Sequence, residues 1–204
     1  MKNRIITIVV ALFATVLFAA TLSAQTAKSV LDKTAALYTK GAVQVNFTAK
    51  AAQGTSTGTL VAQGNKFTLK SNSATIWFDG KTQWSLYKNG DEVNLTEPTA
   101  KEIASINPMN FVNTYKSGYK STLKTVGNTY EVHLTATSSS KPMKEIYVIV
   151  DKATSNPKSI KFRTKANDWT TITVSSFQSV AKKSDAYFRY NAKDHPGLQV
   201  VDLR

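Results

Sequence analysis

The stretch ATIWFDGKTQWSLY, residues 74–87, decides the fold. Two runs of β-forming residues flank Asp79-Gly80, a pair that suits a two-residue hairpin turn because both central residues must accept positive φ. Such a turn sets Phe78 against Lys81, Trp77 against Thr82 and Thr75 against Trp84. Side chains alternate along a strand, so one face of the hairpin carries Trp77, Trp84 and Leu86, and the other carries Ile76 and Phe78. A hairpin wetted on one side would not place large apolar residues on both. The stretch therefore predicts a central piece of a sheet with apolar material against each surface.

On its N-terminal side, residues 59–62 and 66–70 form a second hairpin through Gly64-Asn65, with Leu60, Phe67 and Leu69 as its apolar members. Before it, Val43, Val45, Phe47 and Ala49 alternate with polar residues, the period of a half-buried strand. Residues 26–38 place Val30, Leu31, Ala35, Leu37 and Tyr38 around Asp32 and Lys33, which predicts an amphipathic helix ended by Gly41. On the C-terminal side a turn at Asn89-Gly90 leads to a short strand with Val93 and Leu95, and the β rhythm stops at Pro98.

Thr99 with Glu102 three residues on predicts a capping box, opening a short helix with Ile103 and Ile106. Asn107-Pro108 breaks and restarts it, and the second piece carries Met109, Phe111, Val112 and Tyr115. So apolar an insert in a β chain is either packed permanently on the sheet or a movable lid. Strands resume near Lys120. A tight hairpin at Gly127-Asn128 sets Lys124 opposite Glu131 and Leu123 opposite Val132. Ile146, Val148 and Val150, then Ile160 and Phe162, then residues 169–177 continue the pattern. A polar connection, 178–185, leads to Phe188 and Tyr190 and a last strand at 198–203.

About eleven strands with short turns imply an antiparallel sheet, and one that wide must curl. The expected fold is mainly β (α+β): a strongly curved sheet forming an open half-barrel, with the N-terminal helix and the short broken helical lid on its concave side.

Lys2 and Arg4 precede an apolar stretch from residue 5 to 20 and then Ser23-Ala24. That is the layout of a secretory signal peptide, residues 1–24, leaving 25–204 as a single exported domain. The apolar run is short for a spanning helix, which needs about 20 residues. The chain has 26 Lys plus Arg against 13 acids, a net charge of +13, with the cations scattered singly. This is a solvated surface with weak attraction to anionic membranes. Export argues against nucleic acid as a partner.

The chain has no Cys and two His, which excludes disulfides and thiol catalysis. His133 lies between Val132 and Leu134, so it points away from the core beside Glu131, and His195 sits in a turn-rich loop. Asp151, Asp168 and Asp185 fall in turns, where they bond their own backbone. No phosphate-cradling glycine motif and no metal-ligand spacing is present, so the expectation is a non-enzyme with no catalytic residues, no metal and no cofactor.

Several motifs resemble the periplasmic outer-membrane lipoprotein carrier family, LolA. They are Val45-Asn46-Phe47-Thr48, Asp79-Gly80-Lys81-Thr82-Gln83-Trp84, Val150-Asp151 running to Pro157, and Phe188-Arg189-Tyr190 followed by Gly197 and Val200-Val201-Asp202-Leu203-Arg204. The resemblance implies an apolar cavity between half-barrel and lid that holds lipoprotein acyl chains. Each buried methylene is worth about 0.8 kcal/mol, so a chain of about 15 gains roughly 12 kcal/mol on leaving water.

By that resemblance Phe47, Leu60, Phe67, Leu69, Trp77, Trp84 and Leu86 line the sheet side, and Ile103, Ile106, Met109 and Val112 close it. It further implies a monomer that receives acylated lipoproteins from an inner-membrane releasing ABC transporter and passes them to an outer-membrane acceptor. Relatives often hold the lid with an arginine where this chain reads Ala62-Gln63-Gly64-Asn65-Lys66, so that gating here either uses Gln63 or Lys66 or is absent. The alternative from another class is a periplasmic lipid- or lipoprotein-sensing regulatory domain of similar fold.

Overall fold

A computed structural model describes residues 25–100, 102, 103, 115–164 and 168–204. The expected signal peptide, and Ile106, Met109 and Val112 of the insert, lie outside the described residues.

The helix α1, Ala27–Thr39, starts at Thr26, whose hydroxyl accepts from Ser29 N while Ser29 Oγ accepts from Thr26 N. It buries Ala27, Val30, Leu31, Thr34 and Tyr38, one stripe at helical spacing. After it come β1 (Ala42–Ala51), β2 (Gly54–Gln63), β3 (Lys66–Ser71), β4 (Ala74–Phe78), β5 (Gln83–Tyr87) and β6 (Glu92–Thr96). Beyond the insert lie β7 (Tyr119–Val126), β8 (Thr129–Ala136), β9 (Glu145–Asp151), β10 (Pro157–Arg163), β11 (Trp169–Val180) and β12 (Gln199–Asp202).

All twelve form one open sheet in the order β12-β6-β5-β4-β3-β2-β1-β11-β10-β9-β8-β7. Strands joined by short turns, β1 to β6 and β7 to β11, pair antiparallel with their chain neighbours, as expected. The sheet has one strand more than the sequence pattern counts, and β12 runs parallel to β6 because the chain crosses the sheet before returning to its edge.

The curl follows from the helix. α1 touches β1 and β2 and also β7 and β8. Six strand steps separate β2 from β7, roughly 29 Å if flat, whereas a helix of 13 residues is about 20 Å long. One helix reaches both only if the sheet bends round it. We call the helix-bearing side the inner face.

The opening hairpin differs from its sequence reading by two residues. Phe78 pairs with Gln83, Trp77 with Trp84 and Thr75 with Leu86. Asp79 N donates to Thr82 O, and the Asp79 carboxylate accepts from Lys81 N and Thr82 N, so the loop takes four residues rather than two. A slip of two preserves every face assignment, because side chains repeat with period two. The 127–128 hairpin has the expected register, with Lys124 opposite Glu131 and Leu123 opposite Val132.

Candidate ligand-binding face

Cross-strand pairing shows which residues share the inner face. Val45 faces Leu60, Leu60 faces Leu69 and Leu69 faces Ile76; in the next row Val43, Ala62, Phe67 and Phe78 follow one another. Phe67 and Phe78 touch with ring centroids 5.3 Å apart. Phe47 lies opposite Gly58, where an added Cβ would sit 3.0 Å from its ring and 2.6 Å from Lys70 O; the missing side chain lets the ring cross β2. Past β1 a bulge at Asn46/Phe47 turns both Val174 and Phe177 of β11 inward. Ile172, Ile160, Val148 and Val132 carry the apolar row out to β8. These side chains and the buried stripe of α1 form one continuous cluster.

Both described ends of the insert reach this surface. At the first, Glu102 Oε2 accepts from Thr99 N and Oγ1, both at 2.7 Å, and Glu102 N donates to Thr99 Oγ1, which is the expected capping box. Ile103 then packs on the cluster. At the second, Tyr115 is buried in it and its hydroxyl donates to Asp32 of α1. Hydrogen bonds from Lys28 and Tyr115 hold the Asp32 carboxyl below the usual carboxylate range, while burial and Asp32 push the Tyr115 phenol up.

Of the residues expected to line a cavity, the structure brings Phe47, Leu60, Phe67, Leu69 and Ile103 together. It does not bring Trp77, Trp84 and Leu86 to them. Thr68 pairs with Trp77, Trp77 with Trp84, and Leu86 shares that side, so these three lie on the outer face. Their inner counterparts are Ile76 and Phe78, which the sequence assigns to the opposite side of the hairpin from the tryptophans without indicating that this side meets the helix.

The outer face is apolar for another reason: the C-terminal segment is strapped across it. Gln63 Nε2 donates to Lys183 O at 3.2 Å and Gln63 Oε1 accepts from Lys183 N at 2.9 Å. Lys66 pairs with Asp185 at 2.6 Å, Thr68 Oγ1 donates to Tyr187 O, and Arg189 pairs with Asp79 at 2.9 Å. Phe188 is fully buried beneath this strap, and Trp77 packs against Tyr190 and His195, each 5.6 Å away. Gln63 and Lys66, the two gating candidates, therefore fasten the strap on the outer face. His133 lies on the outer face as expected, stacked on Tyr147 at 4.2 Å and 3.4 Å from Glu145.

At the β5–β6 end a cleft of about 510 Å³ is lined by Gln83, Thr96, Glu97, Pro98, Glu102, Leu203 and Arg204. It opens where the insert begins.

The family model described as outer membrane lipoprotein carrier protein LolA matches residues 17–167. A search of curated proteins finds no match. Among solved structures, an uncharacterized conserved protein from Thermus thermophilus aligns with a TM-score of 0.59 at 12% identity, covering 87% of this chain and 99% of that one. A LolA superfamily protein from Nitrosomonas europaea aligns with a TM-score of 0.45 at 12% identity, covering 82% and 99%. A putative outer membrane lipoprotein-sorting protein domain from Vibrio parahaemolyticus gives 0.44 at 10%, covering 80% and 97%. The first of these shares the fold.

Proposed function

The chain belongs to the outer membrane lipoprotein carrier protein LolA family, and from that premise we propose that it is a periplasmic chaperone for lipoprotein acyl chains. It takes lipoproteins at the inner membrane from a releasing transporter and delivers them to an acceptor at the outer membrane. Binding and release are the whole of its work, with no catalytic step. The observation that carries this reading is the continuous apolar inner face, running from Phe78 to Leu134, at which both described ends of the insert arrive. On this reading Phe47, Leu60, Phe67 and Leu69 hold the chains, and the insert that begins at Ile103 covers them.

The test uses the two faces against each other. Leu69 and Trp84 are both half-buried, the first inner and the second outer. Protein purified from the periplasm is examined by native mass spectrometry for copurified acylated lipoprotein or lipid. Leu69→Gln sets an amide among hydrocarbon, a cost of about 1–3 kcal/mol, and should lose most of the bound lipid. Trp84→Gln should retain it. Lipid retained equally by both variants, or lost with Trp84, would sink the proposal.

A further inference from the structure

The inner face is not apolar throughout. The row Leu60, Leu69, Ile76 runs on to Ser85 and Asn94, and the row Ala62, Phe67, Phe78 runs on to Gln83 and Thr96. Hydrocarbon on β2 to β4 thus gives way to amide and hydroxyl groups on β5 and β6. Two of these are buried, Gln83 at 7% exposure and Ser85 at 4%. Gln83 Nε2 donates to Ser85 Oγ at 2.9 Å, but among the described residues Gln83 Oε1 has no partner. A buried carbonyl oxygen left without a donor is costly, and native interiors seldom tolerate one without a use for it. This residue lines the cleft at the start of the insert. The charges around it are engaged: Glu97 with Lys81 at 3.2 Å and Arg204 at 3.7 Å, and Glu102 with Thr99.

We propose that Gln83 is the polar end of the ligand site. Its Oε1 accepts the N–H of a secondary amide that joins an acyl chain to its head group, and the chain runs from there toward Phe78 and Phe67. The proposal rests on the acyl-carrier reading and deepens it. A pure hydrocarbon leaves the oxygen unmet and an ester has no donor, whereas a secondary amide supplies one next to the first methylenes.

N-dodecanoylglycine and N-dodecanoylsarcosine separate these cases, since they share chain and carboxylate and differ only by N–H against N-methyl. Titration calorimetry on the wild-type protein should show the glycine amide binding about tenfold tighter, as expected for one buried hydrogen bond. In Gln83→Met the ratio should fall to about one, with the sarcosine amide bound as by wild type. Gln83→Asn, which keeps the amide but withdraws it by one methylene, should also lose the preference and decides the matter if the Met variant does not fold. Equal wild-type affinities, or a preference unchanged in the variants, overturn the Gln83 assignment while leaving the carrier reading intact. Failure of both amphiphiles to bind overturns both.

Discussion

Asp79 sets the register of the central hairpin with one side chain. Its carboxylate is largely buried and takes two loop amides, from Lys81 and Thr82, besides the Arg189 guanidinium. Gly80 beside it has φ +102°, a conformation that a side chain would strain. Burial pushes the Asp79 carboxyl up, but the two backbone donors and Arg189 outweigh it and hold it below its ordinary value. A depressed folded value means that the stabilisation is present above the unfolded value, about pH 4, and is lost as pH falls through the folded one. Asp79→Asn keeps an oxygen for the loop and loses the ion pair to an exposed arginine, so it should cost less than about 1 kcal/mol in urea unfolding at pH 7. It should also flatten the acid limb of the stability curve. Asp79→Ala loses the loop bonds and should cost about 1.5–3 kcal/mol. Equal costs for the two variants would mean that the ion pair, not the loop, carries the effect.

Two elements compete for the role of a fastener, and the structure separates them. The strap is held at its start by the reciprocal Gln63–Lys183 bonds, whereas the far end of the insert is held by Tyr115 on Asp32. Gln63→Ala should raise amide exchange at Lys183, whose N–H loses its acceptor, and leave Tyr115 and the retained lipid unchanged. Tyr115→Phe should do the reverse at a cost of about 1 kcal/mol, loosening the insert and speeding lipid release while the strap stays protected. The Tyr115→Phe deficit should hold above about pH 4, the unfolded carboxylate value, and narrow as pH falls from there through the lower folded value at which Asp32 gains its proton and the charge-assisted part of the bond fades. Faster lipid release from the Gln63 variant would return that residue to the gate.

At the scale of the molecule, what could be read in the chain was what depends on near neighbours. Alternation at Val43 to Ala49, the turn residues and the Thr99–Glu102 cap each report on a few positions, and the strands they predict are present. Which side of the sheet is inner depends on α1 and on the strap, both distant in sequence. Trp77 and Trp84 are therefore as apolar as Phe67 and Phe78 yet face the other way. Phe188 and Tyr190, apolar residues set just after a polar connection, are the sequence signal that the outer face needs a cover. Gln83 was invisible for a similar reason, because an unpartnered oxygen is a property of its surroundings.

An open sheet also leaves edges, and charge is how this one guards them. Among the described residues β7 pairs on one side alone, and its exposed residues include Lys120 and Lys124 beside Val126, which is 49% exposed. An edge of free N–H and C=O groups next to apolar side chains invites a second copy, and lysines on both partners make that approach repulsive. The chain's net charge of +13 adds to the repulsion at long range. The double variant K120T/K124T keeps strand-forming residues and removes the guard, so it should self-associate with rising concentration in sedimentation velocity where the wild type stays monomeric. Added salt should push the wild type the same way, because the Debye length falls from about 10 Å at 0.1 M to about 3 Å at 1 M. A double variant as monodisperse as wild type at every concentration would show that something other than these two lysines protects the β7 edge.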